Sequence, residues 1–116
     1  MPWRNRGYSY NENSISKRAP SASGVYAIFR EGLWIYIGET DDIRGRLFAH
    51  LKGDNQCIRK YRPTGFSFEL CAPGERTARY HELVSDLSPP CNCIFSRERR
   101  PVGRWRRFFN SKVLWF

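Results

Sequence analysis

Two short apolar segments separated by only three residues constrain the fold of this chain more than any other feature. The segments GVYAIF and LWIYIG are rich in β-branched and aromatic residues, and REG lies between them. Segments so close in sequence form an antiparallel β-hairpin. With a two-residue turn, Glu31-Gly32, Tyr26 and Tyr36 would lie on opposite faces of the sheet. We expect the three-residue loop 30–32 instead, because Gly32 suits its left-handed last position, and this register pairs Tyr26 directly with Tyr36.

Two helices and one more strand follow the hairpin. The segment TDDIRGRLFAHL predicts a helix with Thr40 as its N-cap and an apolar stripe formed by Ile43, Leu47 and Leu51. GFSFELC alternates as a strand does, and ERTARYHELVSDL predicts a second helix that Pro89 ends. Residues 1–22 are polar with scattered aromatics, and within them KRAPSASG reads as a lead-in loop; a polar, basic connection joins the first helix to the third strand. We therefore predict an α/β fold with a small, mostly antiparallel three-stranded sheet flanked by helices.

The length of 116 residues supports one domain with a single modest core. We expect an N-terminal extension over residues 1–21, a folded domain over residues 22–95 and a basic, aromatic C-terminal segment over residues 96–116 that packs on the same domain. The aromatic residues of that segment could equally stack on nucleic-acid bases. No apolar run reaches the ~20 residues of a membrane helix, and the N-terminus lacks the apolar centre of a signal peptide. We therefore expect a cytoplasmic protein without membrane contact.

The charge of the chain points to a polyanionic partner. Twenty Lys and Arg residues against 11 Asp and Glu residues give a net charge of +9. Nucleic acid is the simplest such partner, because each phosphate contact releases counterions. The four cysteines, Cys57, Cys71, Cys91 and Cys93, lack the spacing of a zinc site, so we expect reduced thiols.

Arg46 and His50 lie four residues apart on the first predicted helix and therefore on the same surface. Both flank the apolar stripe, so they should emerge at the edge of the helix–sheet contact, near one face of the hairpin. An arginine beside two phenols can bind a phosphate group, because its guanidinium donates two parallel hydrogen bonds. The plainer alternative is a cross-strand aromatic pair, Tyr26 and Tyr36, beside a solvated arginine and a boundary histidine.

The tripeptides GVY, residues 24–26, and YIG, residues 36–38, complete a pattern that resembles the GIY-YIG nuclease family. The resemblance covers about residues 22–95, which is most of the chain. It assigns the remaining family positions to four residues: Arg46, His50, Glu82 and Asn92.

Glu82 is the residue on which periodicity and resemblance differ. Helical angles place it away from Tyr80, Leu83 and Val84, on the polar face of its helix. Periodicity therefore predicts an exposed glutamate paired with Arg79 or another cation. Only the resemblance makes it a metal ligand.

The resemblance implies a divalent-metal-dependent endonuclease that hydrolyses phosphodiester bonds in nucleic acid, most simply DNA, with Mg²⁺ or Mn²⁺ as its cofactor. It implies that Tyr26 is the general base, that Arg46 stabilises the phosphoryl transition state and that Glu82 holds the metal. The other site residues would orient water, phosphate, Glu82 or the last loop: Tyr36, His50 and Asn92. A partner protein or further domain is expected to supply specificity, and the sequence leaves the oligomeric state open.

Two other functions stay open at this point. A catalytically inactive nucleic-acid-binding module that retains the fold would explain the charge, although it has little use for Tyr26, Arg46 and Glu82 together. A protein-interaction domain with a basic surface would explain the charge alone.

Overall fold

The computed structural model describes residues 7–92, which form a four-stranded antiparallel sheet with helices on both faces. In chain order the elements are β1 (Tyr8–Ser9), α1 (Glu12–Arg18), β2 (Gly24–Arg30), β3 (Leu33–Thr40), α2 (Ile43–Leu51), α3 (Gln56–Lys60), β4 (Gly65–Leu70), α4 (Pro73–Leu87) and a 3₁₀ turn (Pro90–Asn92). The strand order is β1-β4-β2-β3. The predicted α/β class is confirmed, with four strands instead of three. The predicted C-terminal segment and Cys93 lie outside the described residues.

No helix within residues 7–92 is both long enough and apolar enough to cross a membrane.

The fourth strand and the first helix come from the N-terminal extension, for which no strand or helix was predicted. β1 pairs with β4 through Tyr8 and Phe66. α1 begins after its N-cap Asn11, whose side chain accepts a hydrogen bond from the Ser14 amide at 2.8 Å, and it buries Ile15. A two-residue strand and a seven-residue helix with one buried side chain leave no periodic signal in the sequence. Neither element could be predicted for that reason.

The hairpin turn differs from the predicted three-residue loop. Arg30 pairs with Leu33, so the turn consists of the two residues Glu31-Gly32. Gly32 has φ +77°, which a residue without a side chain adopts at little cost. The predicted register of the hairpin is therefore wrong.

A β-bulge nevertheless brings the two motif tyrosines to one face. Ile28 pairs with Tyr36, and the register shifts between Ile28 and its neighbour, so that Ile35 is the extra residue on β3. Beyond the bulge Tyr26 pairs with Gly38 instead of Tyr36. Because alternate residues of a strand share a face, Tyr26 and Tyr36 lie on the same side of the sheet. Their ring centroids are 6.1 Å apart.

Both faces of the sheet are covered by helices. On the tyrosine face, three helices bury side chains around a core that includes Tyr26: Ile15 of α1, Ile43 and Leu47 of α2, and Ile58 of α3. On the opposite face, α4 packs Leu83 against Val25, Ala27 and Ile37. Tyr26 is only 1% exposed and is therefore a core residue as well as a motif residue.

α2 carries two of the predicted site residues and has Asp42 as its N-cap in place of the predicted Thr40. The Asp42 carboxylate accepts a hydrogen bond from the Gly45 amide at 3.1 Å, while Thr40 Oγ1 accepts one from the Asp42 amide at 3.0 Å. The buried residues of α2 are Ile43, Leu47 and His50, so His50 replaces Leu51 at the end of the expected stripe. This packing turns the His50 ring into the core.

A disulfide joins Cys57 of α3 to Cys91 of the 3₁₀ turn, across 34 residues of sequence. The expectation of reduced thiols is wrong for this pair, because the fold brings two segments together that no local pattern connects. Cys71 is a free thiol. The bridge ties the last described segment of the chain to the tyrosine face of the sheet.

Replacing Cys57 and Cys91 together by serine should lower the free energy of unfolding by about 3 kcal/mol, because the loop that the bridge closes loses its constraint in the unfolded chain. Urea unfolding of the oxidised proteins measures the difference. The matched control is Cys71→Ser, which should change the free energy of unfolding far less. Equal stability of wild type and double variant under oxidising conditions would contradict the role given to the bridge.

Candidate functional site

A buried hydrogen-bond chain links β2 to the segment after α2. Tyr26 Oη lies 2.7 Å from His50 Nε2, and His50 Nδ1 lies 2.9 Å from Asp54 Oδ1. The His50 side chain is 1% exposed and that of Asp54 is 39% exposed, so the chain runs from the core to the surface. A hydroxyl, an imidazole and a carboxylate in this order form a proton donor, its acceptor and the group that orients the acceptor.

Burial sets the protonation states along this chain. Desolvation lowers the pKa of His50, and the nearby Asp54 carboxylate only partly opposes it. The neutral imidazole therefore donates its Nδ1–H to Asp54 and accepts the Tyr26 hydroxyl at Nε2. Burial also raises the pKa of Tyr26 well above its usual value, and Tyr36 raises it further, while Arg46 lowers it by less. At rest Tyr26 is a neutral phenol that donates its proton to His50.

Tyr36 and Arg46 form the rim where this buried chain approaches solvent. The Tyr36 ring is half-buried, and its centroid lies 5.3 Å from that of His50. The Arg46 side chain is 45% exposed, and its Nη1 lies 3.8 Å from Asp54 Oδ2. Arg46 is close enough to Tyr26 to oppose the rise in its pKa. The structure thus brings together four of the predicted site residues: Tyr26, Tyr36, Arg46 and His50.

The glycines of the two tripeptides make this arrangement sterically possible. A Cβ atom on Gly38 would collide with the ring and hydroxyl of Tyr26, which lies across from it on β2. A Cβ atom on Gly24 would collide with the backbone oxygen of Glu69 on β4. Glycine at one position lets the phenol lie flat on the sheet, and at the other it lets two strands approach.

Asn92 holds the 3₁₀ turn against the edge strand β3. Its Oδ1 accepts a hydrogen bond from the Ile37 amide at 2.7 Å, and its Nδ2 donates to the Ile37 carbonyl at 2.8 Å. One side chain therefore satisfies both backbone groups next to Tyr36, as a neighbouring strand would. Asn92 also lies 3.4 Å from the hydroxyl of Tyr80 on α4. Asn92 was expected to hold either Glu82 or the last loop in place. Its hydrogen bonds to Ile37 correspond to the second of these roles.

Residues 22–83, more than half of the chain, match the family model of the GIY-YIG catalytic domain. The chain belongs to the GIY-YIG family. The resemblance based on GVY and YIG is confirmed, and with it the endonuclease type of the domain. No curated protein matches the chain.

Solved structures of GIY-YIG domains share the fold. One is the GIY-YIG N-terminal endonuclease domain of UvrC from Thermotoga maritima bound to its catalytic divalent cation, magnesium. It is 23% identical, with a TM-score of 0.61 over 71% of this chain and 98% of that chain. A point mutant of the same domain, bound to its catalytic divalent cation, is 22% identical, with a TM-score of 0.60 over 70% of this chain and 96% of that chain.

Glu82 is a predicted residue of the GIY-YIG site that does not join the others. Its side chain is 60% exposed and accepts a hydrogen bond from Arg79 Nη1 at 2.9 Å, which is the pairing that helical periodicity predicts. Tyr80 lies about 200° away around the same helix and packs toward the sheet. Its hydroxyl reaches Asn92, and its proximity contributes to the raised pKa of Tyr36, after burial as the larger cause. α4 therefore presents a phenol to the site in place of a carboxylate.

The donors of this GIY-YIG site do not fit a divalent cation. Mg²⁺ is usually bound by one or two carboxylates, with waters and substrate phosphates as its other ligands. The carboxylate oxygens of Asp54 face His50 and Arg46, and the carboxylate of Glu82 is bound to Arg79 on the outer side of α4. Within residues 7–92 no three or more His, Cys, Asp and Glu side chains gather in a group that could hold a metal ion.

Asp54 and Tyr80 are site residues that sequence reasoning missed. Asp54 follows His50 by four residues, which is the spacing of side-chain neighbours on a helix, and this signal could have found it. Tyr80 belongs to the apolar stripe of α4, and periodicity assigned it to the core. Half of that assignment holds, since its ring packs on the sheet while its hydroxyl lies beside Asn92.

The free energy of unfolding should fall as the pH drops below about 6.5, the pKa of histidine in an unfolded chain. The folded pKa of His50 is lower, so the unfolded chain takes up a proton first, and this contribution to stability is fully present only above the unfolded pKa. Urea unfolding between pH 7.5 and pH 5.5 measures the slope. His50→Gln should flatten it, whereas His81→Gln, on the exposed side of α4, should leave it as in wild type. An unchanged slope in His50→Gln would contradict the buried neutral imidazole.

Proposed function

We propose that this chain is an endonuclease that hydrolyses phosphodiester bonds of nucleic acid, DNA in the first instance. The observation that supports the proposal is the chain Tyr26–His50–Asp54, with hydrogen bonds of 2.7 and 2.9 Å, beside the half-exposed guanidinium of Arg46. It combines a positioned proton acceptor with a phosphate-binding cation on one face of the sheet. Membership of the GIY-YIG family gives the reaction class.

In this proposal Tyr26 and His50 act together as the general base. The attacking water gives its proton to Tyr26 Oη while the Tyr26 proton passes to His50 Nε2, and Asp54 stabilises the imidazolium that results. The water oxygen forms its bond to phosphorus as the P–O bond to the leaving oxygen breaks, and the leaving oxygen takes a proton from solvent. A neutral Tyr26 is the correct starting state for this transfer, because its proton already points at His50.

Arg46 is the residue proposed to bind the phosphate. Its guanidinium can donate two hydrogen bonds to the non-bridging oxygens and stabilise the charge that develops on them. Tyr36, whose ring lies on the same face, would place its hydroxyl near the attacking water or the phosphate. Asn92 is a positioning residue, since it holds the backbone of β3 beside Tyr36.

A divalent cation would add charge stabilisation at the phosphate and a more acidic bound water, as metal ions do in hydrolases. We derive no step through it here, because the oxygens of Asp54 face His50 and Arg46, and Glu82 lies on the outer side of α4, bound to Arg79. The same observation favours a second candidate function, a nucleic-acid-binding module that retains the fold without turnover. The binding residues would be the same in both cases.

Tyr26→Phe should lower nicking of supercoiled plasmid DNA by about 100-fold or more, because the phenylalanine cannot pass a proton to His50. Glu82→Gln should nick at the wild-type rate, because its side chain lies on the outer surface of α4. The assay is run with Mg²⁺, with Mn²⁺ and with EDTA, and binding of labelled DNA is measured on the same samples by fluorescence anisotropy.

Each result of this assay decides one assignment. Wild-type rates in Tyr26→Phe would remove Tyr26 from the general base. Loss of nicking in Glu82→Gln would make Glu82 the metal ligand that the resemblance implies, against its position in the structure. DNA binding by the wild type without nicking under any of the three conditions would establish the binding module in place of the endonuclease.

A further inference from the structure

An open groove of about 1150 Å³ lies beside the candidate site, along α3 and the segment that follows it. Three cations and one carboxylate line it: Arg59, Lys60, Arg62 and Asp54. Tyr61, which lies between Lys60 and Arg62 in the sequence, also lines the groove, and its ring is half-buried. None of these three cations belongs to the motifs of the family.

The three groove cations are exposed and not neutralised within the described chain. Arg59, Lys60 and Arg62 form no ion pair with any residue between 7 and 92. By contrast, Arg76 and Arg79 on the opposite face of the sheet are both paired with glutamates. Unneutralised cations that line one concave surface attract a polyanion, and each one that meets a phosphate releases a counterion.

Asp54 connects this groove to the candidate site. Its carboxylate lines the groove and accepts the hydrogen bond from His50 that orients the imidazole toward Tyr26. Arg46 Nη1 lies 3.8 Å from the same carboxylate, so a strand with one phosphate at Arg46 would lie next to the groove. The groove and the site are two parts of one surface on the tyrosine face of the sheet.

The backbone at Arg62 is held in a conformation that arginine rarely adopts. Arg62 has φ +52°, in the left-handed region that favours glycine, and Arg30 Nη1 donates a hydrogen bond to its carbonyl at 2.9 Å. An arginine at such a position costs stability relative to glycine. The backbone geometry therefore gives no reason for the arginine side chain, while a ligand phosphate would.

We propose that this groove binds the sugar-phosphate backbone of the nucleic-acid strand next to the bond held at Arg46. Arg59, Lys60 and Arg62 each contact a phosphate, and Tyr61 packs against a sugar or base. This inference rests on the proposed function, because it extends the same nucleic acid beyond the site. It names a binding surface that is separate from the residues of the chemical step.

The test measures binding of a fluorescein-labelled DNA duplex to the full chain by anisotropy, in EDTA, over a series of NaCl concentrations. Arg59→Ala combined with Lys60→Ala should weaken binding by tenfold or more and reduce the slope of log K against log salt by about 2. Arg62→Gly should weaken binding while the free energy of unfolding stays equal or rises, so misfolding cannot explain the loss. Lys17→Ala removes one positive charge from α1, outside the groove, as Arg62→Gly removes one inside it, and should change affinity less than twofold.

The outcomes separate this inference from the proposed function. If the groove variants bind as Lys17→Ala does while the wild type nicks plasmid, the groove assignment is overturned and the endonuclease stands. If the groove variants bind weakly while no protein nicks, the groove stands and the nucleic-acid-binding module replaces the endonuclease. If the wild type does not bind DNA at low salt, both assignments fall.

Discussion

The buried hydrogen bond between Tyr26 and His50 is the interaction on which the site depends. A phenol hydroxyl in a core without a partner would cost about 1–3 kcal/mol, so His50 must enter the same core. Both side chains are almost fully buried, and their bond is 2.7 Å long. This requires Gly38 to leave room for the ring and the Asp42 cap to start α2 where His50 faces inward. Much of the local sequence around the motifs serves this one contact.

The sequence predicted the shared face of the tyrosines for a reason that does not depend on the turn. Side chains alternate between the two faces along a strand, so two paired strands place residues on the same face or on opposite faces according to whether the register is shifted by an even or an odd number of residues. Compared with the register that a two-residue turn alone would give, a three-residue loop shifts the pairing by one residue. The single bulge at Ile35 also shifts it by one residue, in the opposite direction. Both arrangements place Tyr26 and Tyr36 on one side. The pattern of apolar residues therefore placed both tyrosines on one face correctly while it misplaced the turn, and the α/β class followed from the same pattern.

The contacts that the sequence did not reveal are those between segments far apart in the chain. Cys57 forms a disulfide with Cys91, and the Asn92 side chain bonds the amide and carbonyl of Ile37 as a neighbouring strand would. Both Cys91 and Asn92 belong to a short 3₁₀ turn that has no periodic pattern in the sequence. Glu82 shows the converse. Its periodicity correctly predicted an exposed position on α4 and a pairing with Arg79, while its assignment as a metal ligand came only from its order along the chain. Order in sequence identifies a residue for a site only when the helix turns that residue toward the site.

The distribution of charge over the two faces indicates which side meets a polyanion. On the α4 face, Arg76 pairs with Glu39, and Arg79 pairs with both Glu69 and Glu82, so the cations there are neutralised by carboxylates of β3, β4 and α4 itself. On the tyrosine face, α3 and its following segment leave their cations without such partners within the described residues. A positive net charge spread evenly would attract nucleic acid without orienting it. The paired arginines of α4 on one face and the cations of α3 and its following segment on the other, unpaired within residues 7–92, place the unneutralised charge beside Tyr26, His50 and Arg46, where a bound phosphate would lie within reach of them.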